Sequence, residues 1–198
     1  MNTIMQTLKK ETWPCHERLE RQLDLLNSAF SASDYSRLLM AFLGYYRPVE
    51  SHLNNYPELR QWIPDLELRA KAQWLENDLS VLGIADKVIS QMPLCQDFPP
   101  ITNIPSALGS LYVLEGATLG GRIIADHMNQ LLGIGASNGG AFFQGYGDKT
   151  IVMWQFFGER MVAAVDSLGP VEAAIVASAC MTFESLGRWL VDRNIAHE

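Results

Sequence analysis

The chain is poor in the residues from which metal centres and disulfide frameworks are built. Its three cysteines, Cys15, Cys95 and Cys180, are odd in number, widely spaced and without a CxxC pair. They indicate neither a disulfide scaffold nor a thiolate zinc site, and suit a reducing, cytoplasmic setting. Only four histidines are present, with no HExxH, no paired ExxH and no Asp/Glu cluster, so a bare metal site has no support. Dense Lys/Arg runs are missing and the formal charge is −7, which argues against nucleic acid or an anionic membrane as the main partner and leaves a surface suited to a basic one. No stretch approaches the roughly 18 apolar residues of a membrane span. The opening MNTIMQTLKKETW lacks the apolar run of a signal peptide. Flavin and nicotinamide fingerprints are absent as well.

What is present is helical periodicity. The 198 residues, 48% hydrophobic and 19% charged, fit one soluble globular domain over 1–198 with a core of ordinary size. Nearly every segment repeats its apolar positions every 3.6 residues, and none alternates as a strand does, so the chain reads as all-α. Pro14 predicts a short first helix and a second that begins near Thr12. Ser33 or Asp34 is expected to cap the next, whose stripe (Tyr35, Leu38, Leu39, Phe42, Leu43, Tyr46) runs to Pro48, where it bends or stops. Further helices are expected over 66–82, 106–132, 149–168 and 170–193, with connections at 85–105 and 133–147.

The helix expected over 106–132 carries Gly116, Gly120 and Gly121 in its interior. Each disfavours the helix by about 1 kcal/mol relative to alanine. Gly116 and Gly120 lie about 40° apart around the axis and form one strip without side chains. Two readings fit: tight packing against another helix, or close approach of a flat ligand.

Among the histidines, His16 stands out because Glu20 follows one turn later on the same face. In that arrangement Glu20 accepts the Nδ1 proton while Nε2 binds a metal; HxxxE equally describes a solvent-facing histidine beside a surface carboxylate. A single histidine suits haem, whose porphyrin supplies four of six iron ligands. His16 would then hold one face, with Gly116 and Gly120 bordering the other. His127, seven residues past Gly120 on the same side, is either a rival ligand or a helix-surface histidine. His52 and His197 carry no signal. Arg122 and Asp126 read as a surface salt bridge, Cys15 as a thiol about 100° from His16, and Phe142, Phe143, Phe156, Phe183 and Trp189 as core.

ETWPCHERLE, SDYSRLLMAFLGYYRPVE, LYVLEGATLGGRII and TFESLGRWL, in this order and spacing, resemble the haem oxygenases, particularly the bacterial and phytochrome-associated branch. The resemblance implies an all-α single-domain bundle with haem sandwiched between a proximal and a glycine-containing distal helix. It implies His16 as the axial ligand, Glu20 as its neighbour, and Gly116, Gly120 and Gly121 as the distal glycines. Ala117 departs from mammalian-type members, which carry an aspartate there, so proton delivery falls to Thr118, Glu115 or backbone groups with bound water. Thr118 equally bonds back to the Leu114 carbonyl. Trp154 and Gly158 fall where propionate-binding bases are expected, which leaves Lys9, Lys10 and Arg160 as candidates for the haem carboxylates. Tyr112 reaches a propionate or is a core aromatic with a wet tip, and Phe183 lines the pocket.

The implied activity is oxidative cleavage of haem, both substrate and cofactor, to biliverdin, carbon monoxide and iron. O2 and electrons from a separate donor, such as a ferredoxin or a reductase, are required, and the product serves iron acquisition or a bilin-accepting photoreceptor. The alternative is a haem store, carrier or gas sensor that leaves the ring intact.

Overall fold

The structure, a computed structural model, describes residues 3–196; His197 lies outside them. Every regular element among the described residues is helical. None is long and apolar enough to cross a membrane.

A reciprocal capping box between Thr3 and Gln6 opens α1 (Ile4–Leu23), and Asp24, at φ 40°, closes it. The expected break at Pro14 does not occur. Burial of Ile4, Leu8, Thr12 and Leu19 holds both halves in one line, and the Thr12 hydroxyl donates to the Leu8 carbonyl at 2.7 Å. Together these outweigh the roughly 3 kcal/mol of an interior proline. The cap of α2 (Ala32–Asn54) is Ser31, with Asp34 as the third helical residue completing the box. Hydrogen bonds from Ser31 and then Arg37 hold the Asp34 carboxyl down at about 2.

The second helix also runs through Pro48. Proline deprives the carbonyl four residues earlier, that of Gly44, of its helical donor. The Cys95 N–H fills the vacancy at 2.8 Å, so a connection some fifty residues further along the chain supplies what Pro48 removes. Short α3 (Leu59–Trp62) follows. The helix expected over 66–82 is split into a 3₁₀ turn, Leu66–Arg69, and α4 (Ala72–Val81). Its cause is the Glu50 carboxylate on α2, which accepts the N–H groups of Lys71 at 2.7 Å and Ala72 at 3.1 Å and so starts a new helix there.

The expected connection at 85–105 contains α5 (Asp86–Gln91). An Asn103–Ser106 box then opens α6 (Ile104–Leu132), and Gly133, at φ 68°, ends it. A further helix, α7 (Ala141–Gln144), interrupts the expected loop. The buried Asp78 carboxylate on α4 accepts its first two N–H groups, Ala141 at 2.9 Å and Phe142 at 2.8 Å. Burial still raises the Asp78 pKa. The chain closes with α8 (Thr150–Leu168) and α9 (Glu172–Asp192).

α9 is the shared support, with α6 and α1 both packed on it. Against α6 the approach is close enough that a side chain at Gly109 would run into the Ile175 carbonyl and the Ala179 nitrogen. Hydroxyls stitch this seam: Ser178 donates to the Ser106 carbonyl at 2.8 Å and Thr182 to the Ser110 oxygen at 3.1 Å.

The other side of α6 carries a buried charge cluster. Arg69, Lys71 and Glu115 are each no more than 2% exposed. The Glu115 carboxylate pairs with the Arg69 guanidinium through one oxygen and the Lys71 ammonium through the other, and accepts the Tyr146 hydroxyl at 2.9 Å. Burial and that carboxylate push the Tyr146 phenol well up. Arg69 is held in turn by Asp65, at 3.0 and 2.7 Å. Glu115→Ala therefore leaves the buried Lys71 ammonium without its counter-ion and Arg69 with Asp65 alone, and unfolding in urea should show a loss of about 3–5 kcal/mol. A loss under 1 kcal/mol would contradict the bracing role.

Candidate functional site

α1 and α6 lean on common neighbours, α8 and α9, far more than on each other. They come together where Tyr112 of α6 lies beside Thr12 of α1. One turn further along each helix stand His16 and Gly116.

The three glycines have different surroundings. A Cβ at Gly120 would meet no atom within 4 Å, and one at Gly116 only Trp154 Cη2, at 4.0 Å. At Gly121 a Cβ would sit 2.6 Å from the Phe143 carbonyl oxygen of α7. Gly121 is therefore a packing glycine that lets α7 dock, whereas Gly116 and Gly120 leave a strip of α6 uncovered. The packing reading holds for Gly121, while Gly116 and Gly120 have no packing neighbour that requires glycine.

The His16 ring packs between Trp13, with centroids 5.7 Å apart, and Phe183 of α9, at 5.4 Å. Its side chain is 42% exposed and its Nε2 lies 3.4 Å from Glu20 Oε1. The nitrogen facing Glu20 is thus Nε2, not Nδ1 as expected. The i,i+4 spacing brings Glu20 beside the ring on either edge, and only the ring rotation selects which nitrogen it meets. Presenting Nε2 to a metal means turning the ring over, and its exposure leaves room for that.

Other residues divide clearly. Thr118 is buried on the opposite side of α6 from the open glycines, against Gly145, and its hydroxyl donates to the Glu115 carbonyl at 2.7 Å, not to that of Leu114. Glu115 is committed to its two cations and does not face the strip. Ala117 is exposed. Tyr112 is buried, with its ring 5.7 Å from Trp154, and burial raises its phenol, offset in part by the Thr12 hydroxyl nearby.

Arg160 is likewise occupied, donating to the carbonyls of Trp62 at 2.8 Å and Gln61 at 3.4 Å at the end of α3. Lys10 pairs with Glu11 at 3.1 Å, while Lys9 is exposed on the His16 face of α1, two turns earlier. A Cβ at Gly158 would lie 3.4 Å from Met5 of α1. The expected Arg122–Asp126 pair is not formed, for both side chains stand in solvent, where an ion pair gains little. Phe156 is 37% exposed and so not core; Phe183 is buried. His127 is half-buried, and its Nε2 is enclosed with no hydrogen-bond partner.

Residues missed by sequence reasoning include Arg69 and Lys71, whose spacing carries no recognisable motif, and Trp154, the side chain nearest Gly116. A cavity of about 870 Å³ lies between α1, α9 and residues 94–97, bordered by Cys15, Phe183 and Arg188 but by neither His16 nor Gly116, Gly120 or Gly121. No group of three or more His, Cys, Asp or Glu side chains among the described residues is placed to hold a metal ion. One histidine beside an uncovered backbone strip, flanked by Trp154 and Phe183, instead suits a flat aromatic ring that brings most of its iron's ligands with it.

A search of curated proteins gives no match. Among solved structures, the heme oxygenase of Neisseria meningitidis, determined with NO and CO bound, is similar in fold, with a TM-score of 0.81 at 24% identity, over 98% of this chain and 92% of that one. The family model for heme oxygenase matches residues 2–192. The all-α arrangement, the open strip and this match over nearly the whole length agree, and the chain belongs to the heme oxygenase family of enzymes.

Proposed function

We propose that this protein opens haem oxidatively to biliverdin, carbon monoxide and iron, using O2 and electrons from a separate donor such as a ferredoxin or a reductase. The observation that carries this reading is the uncovered pair Gly116 and Gly120, facing the space beside the helix that bears His16. Haem, as substrate, brings the iron at which O2 is activated and the ring that is cleaved. The bilin goes to iron acquisition or to a photoreceptor that accepts it, and a cytoplasmic setting fits the free thiols.

The chain's own residues have distinct tasks. His16, as a neutral imidazole, holds the iron from one side, with Glu20 fixing the ring through its other nitrogen. Gly116 and Gly120 leave room for a bound diatomic and restrict where it tilts; Gly121 keeps their helix seated on α7. Phe183 supports the His16 ring and borders the substrate. With Arg160 engaged elsewhere, Lys9, exposed on the His16 face, is the cation that would meet a haem carboxylate. Ala117 offers no proton and the Thr118 hydroxyl is turned away, so water ordered on the bare backbone carries protons to the oxygen site. Thr118 supports this by fixing the turn that contains Gly116.

The competing reading, a carrier or sensor, is favoured by Ala117. Reconstitution with haem followed by O2 and reductant separates them: an oxygenase bleaches the Soret band and develops biliverdin absorbance, whereas a carrier retains the band. His16→Ala should abolish the axial-histidine spectrum and His127→Ala preserve it; the opposite pattern would move the ligand to His127.

The glycine pair yields a test in which stability and activity part. Gly120→Ala should raise the stability of the haem-free protein by up to about 1 kcal/mol, because the new methyl meets nothing and improves the helix. It should also slow ring opening about tenfold, since the methyl then enters the space beside the iron. Gly121→Ala should lower stability by about 1–3 kcal/mol through the clash with the Phe143 carbonyl. Thermal melts and single-turnover absorbance read both, and equal effects at the two positions would refute the division.

A further inference from the structure

Cys15 and Cys180 lie 165 residues apart in sequence, yet the fold brings them together. α1 and α9 pack side by side, and the Cys180 Sγ rests 3.9 Å from the Glu11 carbonyl oxygen, one turn before Cys15 on α1. Cys180 thus faces the turn of α1 that ends in Cys15, and burial, followed by the neighbouring Cys15 thiol, pushes the Cys180 thiol up. Both are free and half-buried, whereas Cys95 is buried. Cys15 borders the 870 Å³ cavity between α1 and α9, which gives a small oxidant a path to its sulfur. The surroundings make the pair consequential. Cys15 precedes His16, and Cys180 lies one turn before Phe183, whose ring packs on His16.

We propose that Cys15 and Cys180 form an oxidisable dithiol that hydrogen peroxide closes into an intramolecular disulfide, clasping α1 to α9 beside His16. Cys15, as thiolate, attacks one peroxide oxygen and becomes a sulfenic acid, with hydroxide leaving. The Cys180 sulfur then attacks the Cys15 sulfur and the S–OH bond breaks. The departing hydroxyl takes the Cys180 proton and leaves as water. In sum two thiols lose two electrons and two protons, and one peroxide becomes two waters. The clasp ties the N-terminal helix to the C-terminal one and fixes the spacing of the two elements that hold the His16 ring. It closes nearly the whole chain into one loop, the situation in which a cross-link restricts the unfolded state most.

Peptide mapping of the full-length protein without reduction, before and after treatment with hydrogen peroxide, tests this. Trypsin places Cys15 in Glu11–Arg18 and Cys180 in Met161–Arg188. The expected product is these two peptides joined, two mass units lighter than their sum, within a monomer. The melting temperature should rise by at least about 5 °C and return on reduction. Cys95→Ser should retain both changes and Cys180→Ser should lose both. The proposal is overturned if Cys15 and Cys180 stay alkylatable, if Cys15 passes to sulfinic or sulfonic acid instead, if the link involves Cys95, or if the same peptides join only between two molecules.

Discussion

The Glu115 carboxylate, buried between Arg69 and Lys71, anchors the part of the fold on which the site depends. α6 carries bare backbone at Gly116 and Gly120, where a helix has least intrinsic stability and no side chains to fix its position. Glu115 is the residue immediately before that strip. Its two oxygens bind cations from the 3₁₀ turn and the segment after it, and the Tyr146 hydroxyl completes the cluster. Because breaking a buried pair leaves an uncompensated charge, such a cluster tolerates little displacement. α6 can therefore leave one face uncovered without losing its place in the bundle.

The same helix is fixed on its remaining sides by the opposite device, the removal of side chains. Gly109 admits the α9 backbone and Gly121 admits the carbonyl of α7. Glycine thus serves two purposes within one helix. Where a neighbour's backbone fills the space, the missing side chain brings helices together; where nothing fills it, the missing side chain leaves the helix backbone open. The distinction is geometric, and residue type does not reveal it.

Proline shows how local rules yield to packing. Pro14 and Pro48 both lie inside continuous helices, because buried stripes run past them and, for Pro48, because the Cys95 N–H satisfies the Gly44 carbonyl. The Glu50 carboxylate, by contrast, divides a segment whose periodicity predicts one helix, by accepting two N–H groups in mid-run. Each difference arises from a partner distant in sequence, which a local pattern does not contain. Arg160 shows the same effect: it has the chemistry to meet a haem carboxylate, and it is committed to carbonyls at the end of α3.

The amino-acid sequence by itself determined the all-α class, the approximate helix spans, the singular status of His16 with Glu20, and the glycine cluster, since periodicity, i,i+4 spacing and helix propensity act over one or two turns. The family blocks pointed to the heme oxygenase family. Only the tertiary structure decided which glycines face open space and which face a carbonyl, which nitrogen of His16 meets Glu20, that Glu115 braces the helix from behind, and that Cys15 meets Cys180. These are contacts between helices far apart along the chain, and their register is set by packing and buried charge, which no local pattern encodes.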